Sequence, residues 1–156
     1  MKRISVTCLL VGVLMISANA VFAQGSKDSK KDSKKASLYD RIGGSEAVGK
    51  IFDEVGGRMA KDPLLAKFFE GQSQEALMAQ RKQTIDFLCH EMGGPCPYTG
   101  RTVKQAHGPL AINEAQWRAF VKHLSDTLDN QKVGDREKSE MLAMVKKFKA
   151  DVVTNK

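Results

Sequence analysis

The sequence predicts an all-α domain. Four separate stretches repeat apolar residues at helical spacing, and no stretch alternates convincingly in the manner of a strand. Gly- and Pro-marked corners part the helical stretches. At 156 residues the chain holds at most one such domain, and its leading segments shorten the part that folds.

Residues 1–23 read as a signal peptide. Lys2 and Arg3 precede an apolar run from Ile4 through Ile16, and small residues lead to Val21-Phe22-Ala23, where cleavage is expected, with Ala20 as the second choice. The run is too short to span a bilayer comfortably, and Cys8 lies in its middle, away from any lipidation box. This reading places the mature chain outside the cytoplasm, in a periplasm or secreted. Residues 24–37 follow as a Lys/Ser/Asp-rich repeat with no apolar anchor, which predicts a solvated, disordered linker.

These ends own most of the charge. The whole chain carries +7; setting aside Lys2 and Arg3, and the linker's five Lys against two Asp, leaves +2 for residues 38–156. A folded domain so nearly neutral lacks the basic face that nucleic-acid binding needs. Weak contact of the basic linker with anionic lipid or envelope polymers stays open.

From Leu38 the helices follow in order. Ser45 is positioned to cap a helix from Glu46 to about Lys61, with Val48, Ile51, Phe52, Val55 and Met59 on one stripe. Gly56 and Gly57 sit inside it at about 1 kcal/mol each relative to Ala. They call for a reason such as close approach of another helix or a ligand. Asp62-Pro63 stops the helix, and Leu64, Leu65, Phe68 and Phe69 form a short apolar turn. The second helix runs from about Ser73 to Met92 and ends at Gly93-Gly94-Pro95. Beside its apolar residues, Gln80, Thr84 and Phe87 follow the i, i+4, i+7 rule on a neighbouring face. That face lines a cavity or forms a solvent edge; periodicity does not choose.

The third helix, Asn113 to Asn130, opens on a capping box of Asn113 with Gln116 and carries the stripe Trp117, Phe120, Val121, Leu124, Leu128. A fourth, about Asp135 to Val153, carries Met141, Leu142, Val145, Phe148 and Val152.

Chemistry centres on the histidines. His90 suits the negative end of a helix dipole. His123 reads as a half-exposed surface residue beside Lys122. His107 ends a short helical turn between Ala106 and Gly108-Pro109, in a segment with no core of its own, where it serves as a metal ligand or as a structural histidine. Absence of Cys-x-x-Cys-His excludes cytochrome c-type haem attachment. Zinc on Cys89, His90, Cys96 and His107 has suitable ligand types at an unusual spacing. In an oxidising compartment Cys89 and Cys96, seven apart, instead predict a disulfide stapling a helix end to the following corner.

Separated pieces in a fixed order resemble the truncated haemoglobins, group I, over Leu38 to Val153. They are Leu38-Tyr39-Asp40-Arg41-Ile42-Gly43-Gly44, then Asp62-Pro63 through Phe68-Phe69. Next come Gln80-Arg81-Lys82-Gln83-Thr84 with Phe87-Leu88 and Gly93-Gly94, and last Tyr98-Thr99-Gly100 with Lys104-Gln105-Ala106-His107. The resemblance implies a two-over-two helical sandwich around haem b, with His107 as proximal iron ligand and Phe69 packed on the porphyrin. Gln80, Gln83 and Thr84 fall on distal positions, with Phe87 deeper. It implies reversible binding of oxygen, nitric oxide or carbon monoxide. The alternatives are nitric oxide dioxygenation or pseudo-peroxidase chemistry fed by a separate reductase, since the chain has no flavin or nicotinamide module. A third is a helical envelope protein that keeps only the scaffold. One departure stands out. Gly56 occupies the position of the family's oxygen-binding tyrosine and Val55 that of its aromatic neighbour, which implies a more open distal side.

Overall fold

The computed structural model describes residues 36–155; residues 1–23, read as a signal peptide, and 24–35 of the expected linker lie outside the described residues. In chain order the elements are α1 (Leu38–Ile42), α2 (Gly44–Met59), a 3-10 turn (Ala66–Phe68), α3 (Gln74–Glu91), α4 (Val103–His107) and a second 3-10 turn (Gly108–Leu110). There follow β1 (Ile112–Asn113), α5 (Glu114–Asn130), α6 (Asp135–Lys147), α7 (Lys149–Val152) and β2 (Val153–Asn155).

Local chemistry explains most boundaries. Ser37 caps α1 through a capping box with Asp40, so this residue belongs to the domain edge. Gly43 ends α1 and starts α2 at φ 113°, a conformation open to glycine, so the two helices share one corner residue. Ser45 therefore lies within α2 and caps nothing there, contrary to the sequence expectation. Ser73 caps α3 by accepting from the Ala76 amide, and Asn113 with Gln116 forms the expected capping box on α5.

Two expectations need correction. The fourth helix is not continuous: it breaks at Phe148, and α7 resumes at Lys149. Neither Gly nor Pro marks the break, and the apolar stripe runs on through buried Val152, so the pattern hides it. A minimal parallel pairing of β1 with β2 also exists, matching Ile112 to Val153. Strands of two and three residues are too short to leave an alternation in sequence.

The core lies where α2 packs on α3 and α5, and α5 on α6, with α1 bridging α2 and α6. Val48, Ile51, Leu124, Leu128 and Met141 are buried in it. Full burial of one such side chain contributes about 1.5–3 kcal/mol before entropy is counted. The end of α3 is held tightly. A side chain at Gly94 would come within 2.7 Å of the Cys89 sulfur and 2.8 Å of the Tyr39 ring, so only hydrogen fits there. Cys89 and Cys96 form a disulfide, with Cα atoms 5.8 Å apart, joining the last turn of α3 to the segment that leads to α4.

Candidate functional site

The site is built around α4. Thr102 Oγ1 accepts from the Gln105 amide at 3.2 Å, and Gln105 Oε1 accepts from the Thr102 amide at 2.9 Å. This capping box fixes a helix of one and a half turns whose last residue is His107. Outside α4, the segment leans on α7, and Thr154 donates to the Gly108 carbonyl at 3.4 Å. Between them, the cap and the C-terminal strap leave His107 little freedom.

The ring orientation has a chemical consequence. His107 Nδ1 lies 3.0 Å from the Val103 carbonyl oxygen. A carbonyl only accepts, so Nδ1 carries the proton and donates. In the neutral tautomer Nε2 is then the lone-pair nitrogen, and no side-chain hydrogen bond among the described residues uses it. Metal-binding histidines recur in this state, one nitrogen tied to a carbonyl and the other free to ligate.

His107 borders two cavities. The larger, about 230 Å³, opens between α3 and α4. Gln80, Gln83, Thr84 and Phe87 line its α3 side, so the polar-aromatic stripe on α3 does face a cavity. The smaller, about 110 Å³, lies beyond and reaches Met59, Leu65 and Phe68. Trp117, Phe120 and Val152 are, with His107, walls of both. One cleft with a polar edge, aromatic walls and a single imidazole results. Phe87 packs edge-on against Tyr98, ring centres 5.2 Å apart, and against Phe148 at 5.4 Å.

Not every sequence candidate stands equally. Phe69 lines neither cavity, whereas its neighbour Phe68 lines the smaller one. Thr84 Oγ1 donates to the Gln80 carbonyl at 2.9 Å, committing its only proton to the helix. Gln80 and Gln83 therefore hold the uncommitted donors on this wall. Gly56 and Gly57 line neither cavity, and a Cβ at either would meet nothing within 4 Å. The close approach expected there occurs two helical turns earlier instead, at Gly49, where a Cβ would lie 3.1 Å from Arg81 Nη2.

The other histidines are accounted for. His90 is exposed at the end of α3, with Nδ1 3.3 Å from the Cys96 carbonyl. His123 is not merely a surface residue: its Nε2 lies 2.7 Å from Asp62 Oδ2, both side chains only about a fifth exposed. Asp62, sixty-one residues earlier, also accepts from the Leu64 amide, and these bonds hold its carboxyl below the usual range. Periodicity cannot find a partner so distant. The zinc reading falls because the two cysteines are bonded to each other, and no cluster of three metal-type ligands occurs among the described residues. Tyr98, Trp117, Phe120, Phe148 and Val152 were legible only as motif or core residues; nothing in their spacing marks them as cleft walls.

Comparison with known proteins decides the family. The family profile described as bacterial-like globin matches residues 37–154. A group 1 truncated haemoglobin of Mycolicibacterium paratuberculosis is 31% identical over 124 residues, which are 80% of this chain and 89% of that protein. The chain belongs to the group 1 truncated haemoglobins.

A second such haemoglobin, from a Nostoc species, is 30% identical over 118 residues, 76% of this chain and 98% of its own. Among solved structures, the 2/2 haemoglobin of a Synechococcus species superposes with a TM-score of 0.70 at 25% identity, covering 77% of this chain and 100% of its own. That protein was solved in the cyanomet state with covalently attached haem. Truncated haemoglobin of Tetrahymena pyriformis superposes at 0.69 with 24% identity, covering 76% of this chain and 98% of its own, and shares the two-over-two fold. Membership in the truncated haemoglobins implies haem-based ligand binding.

Proposed function

We propose that this truncated haemoglobin holds haem b in the cleft between α3 and α4, with His107 Nε2 as its one protein ligand, and binds diatomic gases reversibly there. The observation that carries the reading is the Nδ1–H bond of His107 to Val103, which leaves Nε2 as the nitrogen available to ligate on the residue bordering both cavities. The remaining walls suit the group: Phe87, Trp117, Phe120 and Phe148 offer apolar faces to a flat macrocycle. Both described cysteines are consumed in a disulfide, which favours non-covalent attachment.

When bound, haem supplies the iron on which oxygen, nitric oxide or carbon monoxide is held. The chain's own residues do the rest. The α4 cap and Val103 fix the imidazole's orientation, and the Nδ1–H bond makes Nε2 a stronger donor to a metal. The aromatic walls exclude water. The amides of Gln80 and Gln83 can donate to a ligand that gains partial negative charge. By the resemblance, Gly56 stands where the family carries a tyrosine hydroxyl, and the loss of that hydroxyl supports looser retention of oxygen. This favours ligand binding over nitric oxide dioxygenation, which needs oxygen held until nitric oxide arrives and a separate reductase afterwards. The Cys89–Cys96 disulfide supports export, because such bonds persist in oxidising compartments.

Titrating haem into the purified protein tests the assignment. One equivalent is expected to yield a Soret band and a ferrous spectrum that carbon monoxide shifts. His107→Ala is expected to lose the imidazole-ligated spectrum; an unaltered spectrum in that variant refutes the ligand. Nitric oxide decay on the oxygenated ferrous protein no faster than oxygen release separates binding from dioxygenation.

A further inference from the structure

Two unlike arrangements hold the two halves of α3. In its C-terminal half Ile85 and Leu88 pack on the core, Phe87 sits between Tyr98 and Phe148, and Cys89 is fully buried in the disulfide. In its N-terminal half every residue from Gln74 to Gln83 is exposed. No apolar burial fixes this half, yet it carries Gln80 and Gln83.

One contact ties it down. Arg81 Nε donates to Asp53 Oδ1 at 2.6 Å, and Arg81 Nη2 donates to Asp53 Oδ2 at 2.8 Å. Among the described residues these are the only side-chain hydrogen bonds by which residues 74–84 reach another helix. Asp53 lies on the same face of α2 as Gly49 and Gly56. At Gly49 the helices touch, through Arg81 and Ile85; at Gly56 a side chain would meet open space. The fork thus crosses from α3 to α2 between the close approach at Gly49 and the open space at Gly56. The paired guanidinium also holds the Asp53 carboxyl below its usual range.

We infer that Arg81, forked on Asp53, is a positioning residue for the ligand side of the cleft: it fixes the rotation and distance of α3 so that the Gln80 and Gln83 amides face the bound ligand. A bidentate guanidinium–carboxylate pair constrains direction as well as distance, which a Lys or a single hydrogen bond does not. Gln80 is the adjacent residue on a rigid helix, so a rotation at Arg81 moves it directly. Both side chains are about half exposed, at 44% and 54%, and such pairs add little to global stability. The inference rests on the haem reading above.

The test uses the haem-loaded protein with Arg81→Ala, Asp53→Asn, and the exchange Arg81→Asp with Asp53→Arg. Each single variant is expected to keep the Soret band and melting temperature. Each should shift or broaden the carbon–oxygen stretching band of the carbon monoxide complex and speed oxygen dissociation by roughly threefold to tenfold. The exchange variant is expected to recover a good part of both changes. Single variants with the parent's band and off-rate overturn the inference. Hydrogen exchange on the apoprotein supplies a readout independent of haem. In Arg81→Ala, amides of residues 77–83 should exchange several-fold faster while those of 86–91 hold their rates; unchanged rates in 77–83 also overturn it. Absence of a Soret band in the parent, or an unaltered spectrum in His107→Ala, sinks the haem reading instead and leaves the exchange result standing.

Discussion

The two walls of the cleft are secured by opposite means. The His107 wall is over-determined. A capping box starts α4, the ring bonds back to Val103, α7 supports the helix, and the β1–β2 pairing with Thr154 closes the segment behind it. The α3 wall is firm only from Ile85 onward, where core packing and the disulfide take hold; its donors ride on an exposed half-helix tethered by one ion pair. The difference teaches where change is tolerated. A coordinating nitrogen must sit within a few tenths of an ångström of its place, whereas donors to a passing gas tune a rate and can be adjusted.

The largest effect that could break this comparison comes from the junction of the two walls. Replacing Cys89 and Cys96 by Ser should cost about 2–3 kcal/mol, from the chain entropy regained by a loop of that size. Equilibrium denaturation of the variant against the parent measures it. A loss under about 0.5 kcal/mol would mean that Gly94 and the Tyr39–Met92 backbone bond hold the corner alone.

Next in size is the strap behind His107. Ending the chain after Val152 removes β2 and the Thr154 bond, and should cost about 1–2 kcal/mol. The rate of haem transfer to an acceptor globin should rise several-fold while gas off-rates stay near the parent's. Change confined to the off-rates would reverse the roles assigned to the two walls.

A control lies away from both. Thr127 on α5 is fully buried and its hydroxyl has no partner among the described residues. Thr127→Val removes an unsatisfied polar group at nearly constant volume and should raise stability by about 1 kcal/mol. Neither wall should respond, so an altered gas off-rate would show that core packing couples to the cleft.

The smallest effect follows pH. Asp53 has its pKa lowered by the Arg81 hydrogen bonds, so the carboxylate binds fewer protons folded than unfolded. The stabilisation is therefore present above the ordinary carboxylate pKa near 3.9 and is lost as pH falls through that value toward the lower folded one. Between pH 5 and about 3 the apoprotein's α3 amides at 77–83 should lose protection before those at 86–91. In Asp53→Asn that difference should no longer depend on pH.

How much of this was legible before folding follows from the range of each signal. Capping boxes, helix stripes and the Gly93-Gly94 corner act within a few residues, so α1's corner aside, most boundaries and the placement of His107 could be read directly. The Cys89–Cys96 pair is likewise local. The break at Phe148 was hidden by a stripe that continues through it, and the two short strands by their length. His123 with Asp62, and Arg81 with Asp53, join residues far apart in sequence that carry no shared pattern. Phe68 and Phe69 are adjacent, and no periodicity tells which of them reaches the cavity.

By itself, then, the sequence determined the four long apolar stripes, the disulfide pairing and a histidine at the end of a short turn, because periodicity and loop closure are short-range. It also determined that no tyrosine stands at Gly56. Only the tertiary structure decided that His107 borders two cavities, that Phe68 and not Phe69 reaches one of them, and that Arg81 forks onto Asp53. Each depends on distances in space, which packing sets and composition does not.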